Sequence, residues 1–336
     1  MKQPVIGYVG MSHLGLNYAV ATASKKFKVI CYDKDISKIN LLKRKKSPIF
    51  EKNLEKNIRL NFSNLIFTNN ISDIKKCDNV YISQDVSTKI SGESDLITTK
   101  KLIDKTIKYL NKKSNLIILC QVPPGFCRSI DWNKNQLFYQ VETLIFGQAF
   151  ERALHPERLI IGIDNKKNKI NQTYLKLLRS FTCPLIVMNY ESAELAKISI
   201  NMYLISTITT TNVISEVCEK IDANWKDISI ALKLDKRIGK YSYLDPGLGI
   251  SGGNLERDLY TLQRLQDKNN LNNKFILELK KKSINRKMWI LNLLIKLKKK
   301  YKLKCIAILG LAYKVGTHSI KNSPGVQLIK KLKDHK

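Results

Sequence analysis

The feature that most constrains the fold is a series of short apolar runs along residues 1–190. Amphipathic stretches of helical length separate most of these runs. Runs this short and this apolar are typical of strands buried on both faces, as in a parallel sheet flanked by helices. The sequence therefore predicts an α/β fold that begins with a Rossmann-type, doubly wound parallel sheet. The predicted strands are Val5–Val9, Lys28–Tyr32, Val80–Ile82, Leu116–Cys120, Arg158–Gly162 and Pro184–Met188.

Beyond residue 190 the pattern changes from strands to helices. A long helix is predicted from Ser192 to about Lys220, with Glu194 in its first turn, where the helix dipole favours an acidic side chain. Helical segments continue to about Lys300 around a glycine-rich loop at 245–253, and an apolar run at 304–310 predicts a second βα unit. A self-standing α/β domain needs about 100 residues, so the last segment is interpreted as the start of a truncated α/β domain. The predicted domains are 1–190, 191–300 and 301–336.

The chain carries a large positive charge, with 59 Lys and Arg against 28 Asp and Glu for a net +31. A net positive charge of this size is compatible with binding to nucleic acid, to an anionic membrane or to a phosphorylated small substrate. The basic residues are, however, spread along the whole chain together with Asn and Ile. Nucleic-acid binders instead concentrate charge on one element beside aromatic side chains. We therefore predict no nucleic-acid partner, and nucleic-acid binding stays an alternative that rests on charge alone.

Neither a membrane location nor a metal site is predicted. No apolar run approaches the ~20 residues of a membrane span, and the N-terminus lacks the layout of a signal peptide, so we predict a cytoplasmic protein. The seven cysteines form no CxxC pair, which indicates neither a disulfide framework nor a zinc site. His155 and His318 have no partners at ligand spacing, so we expect no bound metal.

A glycine-rich turn predicts a dinucleotide cofactor. The motif Gly7–Gly10 leads from the first predicted strand into a helix, and Asp33 comes directly after the second strand. Such a turn lets backbone N–H groups approach a pyrophosphate at a helix N-terminus, and the carboxylate accepts hydrogen bonds from the adenosine ribose. The first glycine of the full fingerprint is a valine here. Asp33 favours NAD over NADP because it repels a 2′-phosphate, while Lys34 and Lys38 leave NADP open.

Seven short motifs occur in a fixed order along the chain. They are Gly7–Gly10 (GYVG), Val122–Gly125 (VPPG), Ala149–Arg158 (AFERALHPER), Ala193–Lys197 (AELAK) with Asn201, Arg237–Gly239 (RIG), Pro246–Gly249 (PGLG) and Gly310–Lys314 (GLAYK) with Ser323 and Pro324. In this order the chain resembles the nucleotide-sugar dehydrogenase family of UDP-glucose and GDP-mannose dehydrogenases over essentially its whole length. The resemblance implies an NAD-binding domain, a central long-helix domain that forms a homodimer, and a C-terminal nucleotide-sugar domain. It also implies oxidation of a sugar 6-alcohol to a carboxylate, in polysaccharide precursor synthesis, by two NAD-dependent steps through a cysteine-bound intermediate.

The long helix carries the strongest candidates for catalysis. Lys197 and Asn201 are four residues apart and therefore share a helix face. Their neighbours are apolar, so an ammonium and an amide there are costly unless they face a polar cavity. Together they could stabilise a developing alkoxide; the alternative is a lysine at the helix rim beside a satisfied asparagine. Asp258 resembles the family carboxylate that relays the alcohol proton through water, and its alternative is an exposed aspartate at a helix start.

The resemblance also assigns binding roles by position. Arg237 resembles the family arginine that reaches the nucleotide sugar of a neighbouring subunit. The implied cofactor-binding residues are Gly7, Tyr8, Val9, Gly10, Asp33, Lys38, Gln121, Glu142 and Arg257, and the implied substrate-binding residues are Arg237, Tyr243, Gly249 and Lys314.

The chain departs from the family pattern at several positions. Asn254 occupies the place of the catalytic cysteine, because the family loop GFGGSCFPKD reads GISGGNLERD here. An amide cannot form the thiohemiacetal from which a second hydride leaves. Phe146 replaces a glutamate implicated in the hydrolytic half-reaction, and Gln121 replaces a threonine. Because the losses cluster on one half-reaction, we predict that the first oxidation is feasible and the second is slow or lost.

A second hypothesis belongs to a different functional class. The short last segment, in which His318 and Ser319 replace a family Asp-Asp pair, suggests a non-catalytic homologue or gene fragment that binds NAD or a partner subunit. NAD binding without reduction by any nucleotide sugar would favour this hypothesis.

Overall fold

The computed structural model describes residues 3–87 and 93–334 of the chain. Within these ranges one sheet is formed by the strands β1 (Ile6–Val9), β2 (Val29–Tyr32), β3 (Leu65–Thr68), β4 (Asn79–Ile82), β5 (Asn115–Ile118), β6 (Leu137–Gln140), β7 (Leu159–Ile163) and β8 (Leu185–Asn189). Their order across the sheet is β3-β2-β1-β4-β5-β6-β7-β8. All neighbours run parallel except β6 and β7, which are antiparallel. The predicted mostly parallel sheet is confirmed, with each of the six predicted strands in it.

Two strands were not predicted from the sequence. Strand β3 exposes about half of Ile66, so its burial is less complete than that of a central strand. Strand β6 ends in Gln140, a polar residue that argues against a buried run. In the structure the Gln140 side chain is buried and accepts hydrogen bonds from the hydroxyls of Tyr81 and Tyr174, each at 3.0 Å. This pairing removes the cost of placing an amide inside the core.

The described residues divide into two compact units. The first comprises 3–87 and 94–197, and the second comprises residue 93 with 198–334. The first unit contains the sheet and the helices α1 (His13–Ser24), α2 (Ile36–Lys43), α3 (Leu54–Leu60), α4 (Leu96–Ile107), α5 (Ala149–Leu154) and α6 (Gln172–Arg179). Its core is formed mainly by apolar strand residues and by helix α1, whose small alanines permit close packing against its neighbours.

Helix α7 (Tyr190–Ile221) is the predicted long helix, and the division between the units falls within it, after Lys197. The second unit continues with α8 (Trp225–Leu234), α9 (Asn254–Lys268), α10 (Lys274–Tyr301) and α11 (Pro324–Asp334). Its own core is a small apolar cluster of Ile198, Met202, Ile205, Ile250, Leu259, Ile276 and Leu279. The glycine-rich loop at 245–253 lies between α8 and α9, as predicted. No helix in the described ranges has the length and apolarity of a membrane span.

The strand predicted at 304–310 is wrong: the structure gives this segment no strand. Strand geometry is stabilised by hydrogen bonds to a neighbouring strand. The sheet of the first unit contains no pairing with this segment, and the described part of the second unit offers it no strand. An apolar run is therefore present without the partner that would make it a strand.

The strand order creates a natural binding crevice. Strand β1 lies between β2 and β4. The strands on its two sides are therefore reached by connections that run toward opposite edges of the sheet, which leaves an opening at the carboxyl ends of β1 and β4. The turn that leaves β1 reaches this opening. Gly10 in that turn has a φ of +101°, a conformation that L side chains rarely adopt.

The turn predicts a stability difference between two glycine-to-alanine variants. A Cβ on Gly10 would lie 3.0–3.1 Å from Gln84 atoms, including its backbone nitrogen, whereas a Cβ on Gly125 would meet nothing within 4 Å although its φ is +90°. Both substitutions impose left-handed strain of about 1–2 kcal/mol. Gly10→Ala should lose about 1 kcal/mol more in the free energy of unfolding because it also crowds Gln84. Urea unfolding of both variants measures this difference, and equal losses would contradict the crowding.

Candidate active site

The turn after β1 is shaped for close approach of another group. Ser12 caps α1, and its hydroxyl oxygen accepts a hydrogen bond from the Gly15 amide. A Cβ on Gly15 would lie 1.9 Å from the carbonyl oxygen of Gly10, so only glycine lets the helix start this close to the turn. The start of α1 therefore sits against the turn, and the N-terminus of a helix is a site that can bind a pyrophosphate.

The motif residues that precede Gly10 lie inside the core. Gly7 packs against Cys77, because a Cβ there would be 2.9 Å from the Cys77 sulfur. Tyr8 and Val9 are buried, and the Tyr8 hydroxyl is 2.7 Å from the hydroxyl of Thr22. These side chains hold the strand in place. Any contact of Tyr8 or Val9 with a cofactor would therefore involve backbone atoms.

Asp33 directly follows β2 and lies in the same crevice. Its carboxylate accepts hydrogen bonds from the Met11 amide at 2.8 Å, the Asp35 amide at 3.0 Å and the Lys38 ammonium at 2.9 Å. These donors fix the carboxylate at the rim of a cavity of about 600 Å³. The cavity has room for a nucleotide. The lining residues are Gly10, Ser12, Tyr32, Asp33, Lys34, Asp35, Lys38, Gln84, Asp85, Thr98, Lys101, Leu102 and Lys105.

The turn, the helix start and Asp33 together fit a dinucleotide. The glycine cradle leaves no space for a Cβ, and the carboxylate stands where a ribose hydroxyl can donate to it. Of the predicted cofactor residues, the structure brings Gly10, Asp33 and Lys38 together at this cavity.

A buried glutamate organises the loop that contains the VPPG motif. Glu194 is fully buried and accepts hydrogen bonds from the Gly125 amide at 2.6 Å and the Cys127 amide at 2.8 Å. Burial raises the pKa of Glu194, while the two amide hydrogen bonds act in the opposite direction. In the sequence, Glu194 lies in the AELAK motif near the start of α7, but no binding or catalytic role was predicted for it. Its position three residues before Lys197 places both side chains on one helix face, so the sequence could have predicted that Glu194 also faces inward.

Lys197 and Glu142 form a buried ion pair in the first unit. The Lys197 ammonium lies 2.9 Å from the Glu142 carboxylate, and the two side chains are 8% and 12% exposed. Lys197 is therefore not at a solvated helix rim. Gln121, just after β5, is also buried in this unit. A buried ammonium held by one carboxylate keeps further N–H donors with which to bind a developing negative charge.

Asn201 and Asp258 form the corresponding pair in the second unit. The Asn201 amide donates to the Asp258 carboxylate at 2.5 Å, and the residues are 6% and 1% exposed. The alternative of an exposed aspartate at a helix start is therefore wrong. Asp258 lies near the start of α9 together with buried Arg257, whereas Asn254, at the helix start, is exposed.

The glycine-rich loop of the second unit is closely packed. Gly249 has a φ of +79°, and a Cβ there would lie 2.7 Å from the Ser283 carbonyl oxygen. A Cβ on Gly252 would lie 2.9 Å from the ring of Tyr313. The Lys314 ammonium lies 5.9 Å from the centroid of that ring. The loop and the GLAYK motif thus share one neighbourhood within this unit.

Two predicted substrate residues point outward. Arg237 is exposed, and its guanidinium binds the carboxylate of Asp235 at 2.6 and 3.0 Å. Tyr243 is 44% exposed, and its carbonyl accepts a hydrogen bond from Thr211. Neither side chain is enclosed by its own unit.

Comparison with known proteins places these features in a family. The model of the NAD binding domain of the UDP-glucose/GDP-mannose dehydrogenase family matches residues 4–182, and the model of its central domain matches residues 191–286. The UDP-glucose 6-dehydrogenase of Rickettsia typhi is 32% identical over 341 aligned residues, which cover 96% of this chain and 77% of the relative.

Solved structures of related enzymes share the fold. A UDP-glucose dehydrogenase from Pyrobaculum islandicum superposes with a TM-score of 0.88 at 21% identity, covering 99% of this chain and 80% of that one. A UDP-D-ManNAc dehydrogenase from Pyrococcus horikoshii superposes with a TM-score of 0.85 at 22% identity, covering 98% and 81%.

The contacts of Glu194 lead to a stability prediction. Glu194→Leu keeps side-chain bulk but removes both acceptors. The buried Cys127 amide is then left unsatisfied and the exposed Gly125 amide loses its partner, which should cost about 1–3 kcal/mol of unfolding free energy. The matched control is Glu191→Leu on the same helix, because Glu191 forms a solvent-exposed ion pair with Arg128 that contributes about 1 kcal/mol or less. Denaturant unfolding measures both variants. Similar losses would show that Glu194 does not hold the loop.

Proposed function

The chain belongs to the UDP-glucose/GDP-mannose dehydrogenase family, and from that premise we propose that it oxidises the 6-hydroxyl of a UDP- or GDP-hexose with NAD. Family membership makes it an NAD-dependent oxidoreductase that acts on CH–OH groups. The choice of hexose, a cytoplasmic location and a place in polysaccharide precursor synthesis are further parts of the proposal.

The observation that carries the proposal is the burial of two polar side chains one turn apart on α7. Lys197 is paired with Glu142, and Asn201 is paired with Asp258. Burying an ammonium and an amide is costly, and each is stabilised by a carboxylate held at hydrogen-bond distance. A buried ammonium and a buried amide can stabilise an oxyanion, and a buried carboxylate can accept a proton. Oxidation of an alcohol requires both functions.

Each residue has a distinct role in the proposed first oxidation. The Lys197 ammonium and the Asn201 amide would stabilise the negative charge that develops on the substrate oxygen. Glu142 would hold the ammonium in place, and Asp258 would accept the hydroxyl proton through a water molecule. NAD, when bound, supplies the acceptor for the hydride. Gly10, Asp33 and Lys38 would bind its adenosine half.

The second oxidation is proposed to be impaired. It requires a nucleophile that adds to the aldehyde, and the side chain at the family's cysteine position is the amide of Asn254. Phe146 stands where the family has a glutamate, and its ring contacts that of His13, with centroids 4.2 Å apart and planes tilted by 32°. An aromatic ring in this place cannot act as a base for hydrolysis.

The stoichiometry of NADH formation tests the proposed chemistry. We expect one NADH for each UDP- or GDP-hexose consumed, with the aldehyde as product, because the loop that would supply the second stage has no thiol. Asn254→Cys should raise the ratio toward two. Lys197→Ala should lower the rate of the first stage by about 100-fold or more, since it removes a charged donor to the oxyanion. NADH absorbance with product mass spectrometry gives both quantities.

Three outcomes separate the hypotheses. Two NADH per substrate at ordinary enzyme rates in the unaltered chain would contradict the impaired second step, and Asn254→Cys should then change little. Binding of NAD without reduction by any nucleotide sugar would favour the non-catalytic homologue. An unchanged rate for Lys197→Ala would remove the proposed role of the ion pair.

We also propose that the chain forms a homodimer through α7. Apolar residues on this helix stay uncovered within the chain: Ile214, Val217 and Ile221 are 38%, 50% and 67% exposed. Their spacing places them on one helix face, and a stripe of apolar side chains of this kind is typical of a protein interface.

Light scattering tests the dimer. We expect a mass of twice 38.6 kDa and a shift toward the monomer in Val217→Asp, because a carboxylate on this face would lose its hydration on association. Leu60→Asp is the control, since Leu60 is 68% exposed on α3 and lies on a different unit. A monomeric unaltered chain, or equal effects of both variants, would contradict the proposed interface.

A further inference from the structure

We propose that the carboxylate of Asp85 competes with the cofactor's pyrophosphate for the start of helix α1, and that Asp85 therefore sets the affinity of this chain for dinucleotides. The inference rests on the cofactor site of the proposed function. It concerns a residue that neither the glycine motif nor the candidate catalytic residues include.

The geometry places Asp85 on the helix terminus. The first residue of α1 is His13, and its backbone N–H donates to the Asp85 carboxylate at 3.2 Å. The Asp85 amide in turn donates to the hydroxyl oxygen of Ser12, the cap of the same helix, at 3.1 Å. The Ser12 hydroxyl donates to the carbonyl of Ser83 at 2.8 Å, which ties the cap to the segment that follows β4. Asp85 is thus held against α1 by contacts on both its backbone and its side chain.

Asp85 also faces the cavity described above. It lines that cavity together with Gly10, Ser12 and Asp33, and the residue is exposed there. The first N–H groups of a helix carry a partial positive charge and bind anions, whether carboxylate or phosphate. In this chain one of those groups already has an anionic partner. A bound pyrophosphate would have to share the site with a negative charge or displace it.

The imidazole of the first residue of α1 is already engaged. The His13 imidazole lies 2.9 Å from the carboxylate of Glu51, which also accepts hydrogen bonds from the amides of Gly147 and Ala149. Lys38, which also lines the cavity, is bound to Asp33. The Asp85 carboxylate is bound by the His13 amide at the helix terminus, which is one of the groups that the pyrophosphate needs.

Binding of ADP and of adenosine by titration calorimetry tests the inference on the full chain. ADP carries the diphosphate and adenosine does not, so an effect at the helix terminus should appear with ADP alone. Asp85→Asn keeps the size of the side chain and removes its charge. We expect it to tighten ADP binding by roughly tenfold, because repulsion between unit charges a few ångström apart is removed, and to leave adenosine binding within about twofold.

A matched control uses another carboxylate at a helix start. Asp95 caps α4, and its side chain accepts from the Ile97 amide at 3.2 Å, the same kind of contact and the same distance as that of Asp85 on α1. It is not among the residues that line the cavity. Asp95→Asn removes the same charge and keeps a capping residue, so ADP affinity should stay within about twofold of the unaltered chain.

The ADP titrations distinguish failure of the inference from failure of the cofactor site. Equal ADP affinity in the unaltered chain and Asp85→Asn overturns the inference while the cofactor site stands. Equal tightening in Asp85→Asn and Asp95→Asn shows only an effect of net charge and also overturns it. Failure of the unaltered chain and of Asp85→Asn to bind either ligand contradicts the cofactor site of the proposed function, and the inference with it.

A second variant keeps the inference testable if the Asp85→Asn chain misfolds. Asp85→Ala removes both the charge and the hydrogen bond to the His13 amide, so it should also tighten ADP binding and leave adenosine binding within about twofold. Weaker or unchanged ADP binding in a folded Asp85→Ala chain would overturn the inference.

Discussion

The candidate active site depends on hydrogen-bond and ion-pair partners for the polar side chains that are buried along helix α7. Glu194, Lys197 and Asn201 lie on α7 at a spacing that keeps them near one face, and all three are buried. A buried charge or amide is tolerated only with partners. In the first unit two loop amides bind Glu194 and the Glu142 carboxylate binds Lys197, and in the second unit the Asp258 carboxylate binds Asn201. These bonds position the candidate catalytic groups on α7.

The sequence was a good guide where burial alone decides structure. Five of the six predicted strands are buried at every residue, and apolar runs of this kind have few alternatives to a central position in a sheet. The sixth, β8, lies at the sheet edge and is partly exposed. It was a poor guide where structure depends on a partner far along the chain. Strand β6 ends in Gln140, which is acceptable in the core only because two tyrosine hydroxyls reach it. The run at 304–310 has strand composition without a neighbouring strand, and composition cannot reveal a missing partner.

The same distinction holds for the candidate site. Lys197 and Asn201 could be selected from the sequence because helical spacing among apolar neighbours is a local property. Burial of Asp258 could not be derived this way, since it depends on the approach of α9 to Asn201. Asp85 gave no sequence signal at all. It lies in no motif, and its significance comes from the contact with the start of α1, 72 residues away in the chain.

The site also shows why net charge is a weak guide to binding in this chain. The whole chain has a net charge of +31, yet exposed charges farther than about 8–10 Å from a ligand are largely screened at physiological salt. Local pairs determine what a ligand meets, and here Lys38, His13 and Lys197 are each engaged by a carboxylate. Attraction for a phosphorylated ligand must therefore come mainly from backbone amides and from lysines that line the cavity. A single carboxylate on one of those amides can outweigh many distant lysines, because its charge is near and theirs are screened.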